Sequence, residues 1–233
     1  MKQKIIHWDL ESTNLAGDIG ILLCAGYKLE GEKPKVISVL DFPKSFKDGR
    51  ITDKYLVEEF YKVLTGPEVG MWSTWYGMGF DVPMFNTRLL EFGLPPLPKM
   101  PHCDSWRIAR KKLKLHNNRL ASVSAFLGIE EKTPLKLSVW RDAGMGHKPS
   151  IKYVIEHCLQ DTVVLEQAYE RIKPFADAQI HPNLANIRGV EGCPRCASLK
   201  IQRRGTEITS KVKWQRFQCT SCGAWFRGGF ANA

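Results

Sequence analysis

Apolar residues near the start of the chain fall into three short runs that are typical of β-strands. The runs cover residues 3–9, 19–29 and 35–42, and they are rich in isoleucine, leucine and valine. The turn-forming sequence EGEKP separates the second run from the third. Because the connections are short, the pattern predicts an antiparallel meander.

Further along the chain, helical spacing alternates with strand-like runs. The longest helix is predicted over residues 149–174, where apolar residues recur every three to four positions, with Ser150 as its cap and Pro174 as its end. The other predicted elements are helices over 52–64 and 81–93, a basic helix in 107–119, a helix over 120–128, a strand over 69–76 and an extended segment over 101–104. This order predicts an α/β fold, with a mixed sheet flanked by helices.

The pattern changes after the long helix. Residues 175–191 show no periodicity and are interpreted as a linker. Residues 192–233 differ in composition, and two strand-like runs, LKIQRRG and KVKWQRFQ, predict a small β domain there. We therefore expect a main domain over 1–174, followed by the linker and the small domain.

The composition is that of a soluble protein rather than a membrane or secreted one. Of the 233 residues, 43% are hydrophobic and 25% are charged, which is typical of a soluble globular protein. No apolar stretch approaches the roughly 18 residues that a membrane span requires, and the sequence MKQKIIHWDLES lacks the apolar region of a secretory signal. We therefore expect a cytoplasmic protein in which the seven cysteines are thiols or metal ligands rather than disulfides.

The net charge of +10 is distributed unevenly. Residues 186–233 carry nine Lys/Arg against two acids, whereas residues 1–185 carry 25 against 22. A second basic cluster, RIARKKLKLHNNR, occupies residues 107–119. A run of charge is often a solvated helix face, but two basic regions in one chain favour a polyanionic partner.

Several acids stand where strands and helices meet. Asp9 and Glu11 end the first predicted strand and would point to one face of it, where they repel each other unless a cation lies between them. Asp81 opens a helix behind the glycine-rich turn YGMGF, and His157 and Asp161 share one face of the long helix. Carboxylates gathered at one sheet edge need cations, and oxygen ligands favour Mg²⁺ or Mn²⁺.

The order of these motifs resembles the DEDD superfamily of 3′–5′ exonucleases over residues 3–173. DLESTNL resembles the first motif, YGMGFDVPMFNTRLL the second and HCLQD the third. The resemblance implies a ribonuclease H-like fold and hydrolysis of phosphodiester bonds by a mechanism with two Mg²⁺ or Mn²⁺ ions. The residues it implies for catalysis and metal binding are Asp9, Glu11, Asp81 and Asp161. It also implies an intracellular protein of bacterial or phage type.

Two positions depart from the pattern of this superfamily. Its second motif often begins with Asn-Gly, and here Tyr76 replaces the asparagine. In the third motif, one branch has tyrosine four residues before the aspartate and another has histidine five residues before it, and His157 occupies the tyrosine position. Because histidine can act as a general base near neutral pH, we expect His157 either to accept a proton from the attacking water or to orient that water.

The tail contains two C-x₂-C pairs, CPRC and CTSC, separated by 22 residues. Such pairs are typical of a tetrahedral zinc site, and the tail resembles a zinc ribbon. The expected ligands of one structural Zn²⁺ are Cys193, Cys196, Cys219 and Cys222. A redox-active dithiol is the alternative interpretation. A β domain of this size is expected to need the metal in order to fold.

Basic and aromatic residues are interleaved in the tail, a combination that suits single-stranded nucleic acid. DNA rather than RNA is the expected partner, and the chain is not expected to bind a membrane. Phe217 and Trp225 are expected to form the small core of the ribbon instead. The residues expected to contact nucleic acid are Arg203, Arg204, Lys211, Lys213, Trp214 and Arg216 in the tail, with Arg110 and Lys111 in the second basic cluster.

Simpler roles compete with catalytic ones at several positions. Asp104 precedes a helix and is expected to cap it, and Asp81 could cap its own helix as well as bind a metal ion. Cys24, Cys103 and Cys158 are expected to pack as small hydrophobic residues. Two alternatives to an exonuclease also stay open: a nucleic-acid-binding module whose nuclease centre has decayed, and a structure-specific or RNA-directed nuclease on the same fold.

Overall fold

The computed structural model describes residues 3–47, 49–129, 136–177 and 181–230, so the outer limits 1 and 233 of the predicted domains lie outside the described residues. The strands are β1 (Lys4–Ser12), β2 (Leu22–Leu29), β3 (Lys35–Ser38), β4 (Phe46–Lys47), β5 (Arg50–Ile51), β6 (Val69–Thr74), β7 (His102–Asp104), β8 (Ile201–Ile208), β9 (Lys213–Cys219) and β10 (Trp225–Phe230). The α-helices are α1 (Lys54–Leu64), α2 (Asp81–Glu91), α3 (Ser105–Lys112), α4 (Leu120–Phe126), α5 (Leu137–Gly144), α6 (Lys148–Ile172) and α7 (Leu184–Ile187).

The main sheet follows the order β3-β2-β1-β6-β7 in the described part of the chain. The first three strands pair antiparallel, which confirms the predicted meander. β6 then pairs parallel with β1, and β7 parallel with β6, because α1 and α2 return the chain across the sheet. The result is the mixed sheet flanked by helices that a ribonuclease H-like fold requires. It places β1 at the centre of the sheet.

α6 packs across this sheet and contributes to both hydrophobic cores. Its first half places Ile151 and Val154 in a cluster with Trp8 of β1. Its second half places Leu165 in another cluster with Ile108 of α3. The polar face of α6 between these segments is therefore held against the end of β1. Within the described ranges, no helix has an apolar stretch long enough to cross a bilayer.

A buried ion pair between α2 and the start of α1 holds the loop that follows β1. Arg88 donates from Nε to Asp53 Oδ2 at 2.9 Å and from Nη2 to Asp53 Oδ1 at 2.8 Å. Asp53 Oδ2 also accepts the N–H of Leu22 at 2.9 Å. Arg88 Nη1 donates to the carbonyl of Gly17 at 2.8 Å. The pair thus ties residues 13–21 to the helices beneath them.

The second and third strands of the meander are shorter than predicted, each because a local hydrogen bond limits it. The second strand begins at Leu22, since Thr13 Oγ1 accepts the N–H of Ile21 at 3.0 Å and closes the preceding loop. The third strand ends at Ser38, whose N–H donates to Asp41 at 2.7 Å in a capping box. The chain turns there into a short 3-10 helix.

Two helices also differ from the sequence prediction. The basic cluster is helical only as far as Lys112, because Asn117 then closes a turn by accepting the N–H of Arg119 at 3.0 Å. The sequence analysis predicts no element over α5 (LSVWRDAG), which packs against the long helix α6. The longest helix, α6, agrees with its predicted range to within two residues at each end, but its N-cap is His147 rather than the predicted Ser150.

The segment interpreted as a linker is partly structured. α7 lies within it, and Leu184 of that helix is buried against the second core. The N–H of Leu184 donates to the carbonyl of Pro194 at 2.7 Å. Arg195 donates hydrogen bonds to the carbonyls of Pro174 and Ala176. The tail continues as a three-stranded antiparallel sheet in the order β10-β9-β8, as expected for a small β domain.

Candidate active site

Two carboxylates share one face at the end of the central strand. Asp9 and Glu11 both lie on β1, and Gly26 of β2 is paired with Asp9. A Cβ atom at Gly26 would lie 2.9 Å from the carbonyl oxygen of Cys158 and 2.8 Å from Thr162 Cγ2. Only glycine therefore allows α6 to approach the sheet this closely. The approach brings the polar face of α6 to the two carboxylates.

α6 supplies a histidine and an aspartate to the same place. His157 Nε2 lies 3.9 Å from Glu11 Oε1 and 3.7 Å from Asp161 Oδ2. Candidate ligand atoms of Glu11, His157 and Asp161 lie within 4.8 Å of one another, and the same holds for Asp9, Glu11 and Cys158. The structure thus brings four of the five predicted catalytic residues into one cluster, which Glu11 joins together.

The side chain of Asp81 is hydrogen-bonded to the backbone of β1 and is not a simple helix cap. Its Oδ1 accepts the N–H of Leu10, the residue between the two strand carboxylates, at 3.1 Å. α2 begins at Asp81 and has no side-chain cap. Burial raises the pKa of Asp81 to about 7, and the nearby charge of Asp104 acts in the same direction. The Asp81 carboxyl is not part of the groups of ligand atoms that lie within 4.8 Å of one another. The hydrogen bond from the Leu10 N–H nevertheless holds it next to the strand that carries Asp9 and Glu11.

Asp104 fixes the turn that precedes Asp81. Its Oδ1 accepts the N–H groups of Tyr76 at 2.8 Å and Trp106 at 3.2 Å, and its Oδ2 accepts that of Met78 at 3.1 Å. The bond to Trp106 confirms the predicted helix cap. The bonds to Tyr76 and Met78 were not expected, because they join residues that are 28 and 26 positions apart.

Tyr76 adopts a backbone conformation that tyrosine rarely takes. Its φ is 65°, in the left-handed region. This is the position at which the DEDD superfamily often has asparagine, a residue that tolerates the left-handed region better. The ring of Tyr76 contacts Trp106 edge to face at 4.9 Å between centroids. The hydrogen bond that the Tyr76 N–H donates to Asp104 and this ring contact therefore hold a strained turn directly before α2.

Two buried thiols lie behind the carboxylates. Cys24 and Cys158 are fully buried and free, as expected for cysteines that pack as small hydrophobic residues. Cys158 Sγ lies 3.8 Å from the carbonyl oxygen of Asp9. Its hydrogen bond with Cys24, together with burial, raises the pKa of Cys158 well above the usual value. The sequence analysis did not predict that Cys158 lies this close to the candidate site. The available signal was its position next to His157 in the chain.

The four cysteines of the tail converge on one point. Cys193 Sγ lies 3.6 Å from Cys222 Sγ, and Cys196 Sγ lies 3.6 Å from Cys219 Sγ. A tetrahedral site with Zn–S bonds of about 2.3 Å has sulfur–sulfur edges of about 3.8 Å. Burial raises the pKa of Cys219, but the N–H groups of Cys222 and Ser221 outweigh it and bring the pKa to about 7. The arrangement is compatible with a zinc ribbon.

The residues predicted to contact nucleic acid lie on the surfaces of the tail and α3. Lys111 Nζ is 3.7 Å from Asp177 Oδ2, so part of its charge is already paired. The side chains that are exposed are Arg203, Arg204, Lys211, Lys213, Arg110 and Lys111, and those that are partly buried are Trp214 and Arg216. Both surfaces therefore present basic side chains to solvent.

The prediction that Trp225 forms part of the ribbon core is wrong. Its side chain is 49% exposed, because it stands at the start of β10, a strand at the edge of the small sheet. Phe217 instead stacks on Phe226, with centroids 5.7 Å apart. The guanidinium of Arg216 lies over the Trp225 ring, 4.5 Å from its centroid. An aromatic ring and a cation are thus presented together at the surface.

Comparison with known proteins bears on the main domain. Residues 6–173 match the family model RNase_H_2, which is described as RNase_H superfamily. The matched range contains the three motifs and all five predicted catalytic residues. No curated protein matches the chain. Proteins of this superfamily process nucleic acid with the help of divalent metal ions, so the match indicates a nuclease. Since the matched range covers well over half of its length, the chain belongs to the RNase_H_2 family of the RNase H superfamily.

Proposed function

We propose that this protein is a metal-dependent exonuclease that hydrolyses single-stranded DNA from its 3′ end. The observation that carries the proposal is the cluster of Asp9, Glu11, His157 and Asp161, with Asp81 bonded to the same strand. These residues come from three motifs whose order resembles that of DEDD exonucleases. Carboxylates this close together are stabilised by hard divalent cations.

The donor atoms suit two Mg²⁺ or Mn²⁺ ions. Asp9, Glu11, Asp161 and Asp81 would hold these ions through their carboxylate oxygens. When bound, such ions polarise the phosphodiester and lower the pKa of the attacking water. The buried Asp81 supports this assignment, because its carboxyl has a raised pKa and a neighbouring cation would stabilise its ionised form.

His157 is the residue proposed to control the attacking water. Its Nε2 faces Glu11 Oε1 and Asp161 Oδ2, so the ring borders the carboxylate cluster at which the water is proposed to bind. The water oxygen bonds to phosphorus as the bond to the 3′ oxygen breaks, and that oxygen takes up a proton. His157 either accepts the proton of the water or holds the water in line. A His157→Gln variant separates these roles, because glutamine forms hydrogen bonds but accepts no proton near neutral pH.

The remaining parts of the chain are assigned to substrate binding. We propose that residues 192–233 form a zinc ribbon that grips DNA through its basic side chains, that residues 1–174 form the nuclease domain, and that residues 175–191 connect the two. The exposed arginines and lysines of the tail support the assignment. None of the seven cysteines, which all lie within the described residues, is paired in a disulfide, which supports an intracellular protein.

The test is a digestion of 5′-labelled single strands of DNA and RNA with Mg²⁺, Mn²⁺ or no added metal. We expect a metal-dependent ladder that shortens from the 3′ end, faster on DNA, and at least a thousandfold slower cleavage in Asp9→Ala. Glu59→Ala is the matched control, since Glu59 on α1 has a side chain that is 47% exposed and forms a surface ion pair with Lys62 at 2.8 Å. It should cleave like the wild type.

Each alternative outcome identifies a different function. Internal cuts before any shortening would replace the exonuclease with a structure-specific nuclease. Faster cleavage of RNA would show that RNA rather than DNA is the preferred substrate. Binding of DNA without cleavage under any metal condition would refute catalysis and leave a nucleic-acid-binding module.

A further inference from the structure

A groove separates the tail from the end of α6. Its volume is about 330 Å³, within the range of sites that bind small ligands. One wall belongs to the segment after α6 and the other to the tail. The lining residues include Ala176, Asp177 and His181 on the first wall and Pro194, Trp225 and Phe226 on the second.

Hydrogen bonds fix both walls of the groove. The carbonyl of Pro182 can only accept, so His181 Nδ1 donates to it at 2.8 Å, and His181 Nε2 accepts from the Tyr169 hydroxyl at 2.8 Å. The ring of His181 also stacks on that of Tyr169, with centroids 5.8 Å apart. Arg195 joins the tail to the carbonyls of the opposite wall. The groove is therefore a preformed feature rather than a gap between loose segments.

The chemistry of the groove matches a nucleotide. Trp225 is half exposed and lines it, and Arg216 lies over the same ring. Lys112 Nζ lies 2.7 Å from Asp177 Oδ2 at the rim, and Lys111 Nζ lies 3.7 Å from the same oxygen. An aromatic face suits a base and the cations suit phosphates. The carboxylate of Asp177 weakens the attraction of this region for phosphate, because it partly neutralises the charge of the two lysines.

α3 connects the groove to the candidate active site. The helix begins next to Asp104, which holds the turn before Asp81, and it ends at Lys112 beside the groove. Along α6, the 11 residues from Asp161 to Ile172 span about 17 Å. A stacked strand advances about 3.4 Å per nucleotide, so about five nucleotides cover this distance.

We propose that this groove binds a base of the single-stranded substrate, about five nucleotides on the 5′ side of the bond that is cleaved. The base stacks on Trp225, and the strand follows the basic face of α3 to the carboxylates. The proposal rests on the proposed nuclease function for the direction of the strand. The binding itself can be measured without cleavage.

The test measures binding of fluorescein-labelled oligothymidylates of 3 and 12 nucleotides by anisotropy, without added Mg²⁺. Trp225→Ala is expected to weaken binding of the 12-mer about tenfold and to leave the 3-mer unchanged. Asp177→Asn is expected to strengthen binding of the 12-mer and to make it more dependent on salt, because the anion that pairs with two lysines is removed. Ile208→Ala is the matched control, since Ile208 is 76% exposed on β8, the opposite edge of the small sheet.

Trp225→Ala and Asp177→Asn are expected to change the 12-mer affinity in opposite directions, so a general loss of folding cannot produce both results. Unchanged 12-mer affinity in both variants would overturn the proposal, as would equal losses in Trp225→Ala and Ile208→Ala. Retained zinc content in Trp225→Ala shows that the tail is still folded. If the protein binds the 12-mer through Trp225 but never cleaves DNA, the groove assignment stands and only the nuclease proposal fails.

Discussion

Replacing Arg88 with methionine would remove one half of the ion pair buried behind the candidate active site. The side chains of Arg88 and Asp53 are only 7% and 0% exposed, so solvent screens the pair very little. Without its partner, Asp53 keeps the N–H of Leu22 but must hold an uncompensated charge in the core. Breaking a buried pair in this way costs about 3–5 kcal/mol. This is a large part of the roughly 5–15 kcal/mol by which a domain is stable.

Urea denaturation of the wild type, Arg88→Met and Arg88→Met/Asp53→Asn tests this reasoning. With a slope of about 3 kcal/mol per molar urea, the single variant should lower the midpoint by about 1 M or more. The double variant should recover about half of the loss, because asparagine is neutral and still accepts the N–H of Leu22. Lys62→Met, which removes an exposed pair with Glu59, should change stability by less than about 1 kcal/mol. A loss below about 1 kcal/mol in Arg88→Met, or no recovery in the double variant, would refute the reasoning.

Three further outcomes are expected. Asp104→Asn should slow cleavage about 10- to 100-fold and raise the Mg²⁺ concentration that cleavage requires, since an amide nitrogen cannot accept the N–H groups of the turn; an Mg²⁺ titration of activity checks this. Cys196→Ser should reduce bound zinc below one ion per chain, measured by elemental analysis, and weaken DNA binding. The stability lost in His181→Leu should shrink by about 2 kcal/mol between pH 7 and pH 5, measured by urea midpoints. Burial lowers the pKa of His181 from 6.5 to about 4, so only the wild type loses stability from this imidazole as the pH falls through that range.

Much of the fold could be predicted because its signals are local. The apolar runs of the first three strands and the helical spacing of α6 depend on neighbouring residues, and both predictions agree with the structure. Boundaries were less accurate where a single side chain ends an element, as Asn117 does beyond α3. α7 is too short to show a period, and its place is set by Leu184 packing on the second core.

The candidate site was partly visible in the sequence for the same reason. Asp9 and Glu11 share a strand face, and His157 and Asp161 share a helix face, so each pair could be predicted from spacing alone. Their mutual approach depends on packing between α6 and β2, which spacing does not describe. Spacing also does not describe the hydrogen bonds that the turn before α2 donates to Asp104, because they join distant parts of the chain.

Arg195 lies between the cysteines of the first pair, and its guanidinium bonds to two carbonyls just beyond α6. One carbonyl lies in the 3-10 turn that follows α6 and the other directly after it, so the guanidinium fixes the tail to that turn. By thermodynamic linkage, an ion bound by the cysteines at a thousand times its dissociation constant would add about 4 kcal/mol to the free energy of unfolding of the tail that holds Arg195 in place. In evolutionary terms, a lineage that lost the cysteine pairs would also weaken the arginine contacts just beyond the helix that carries His157 and Asp161.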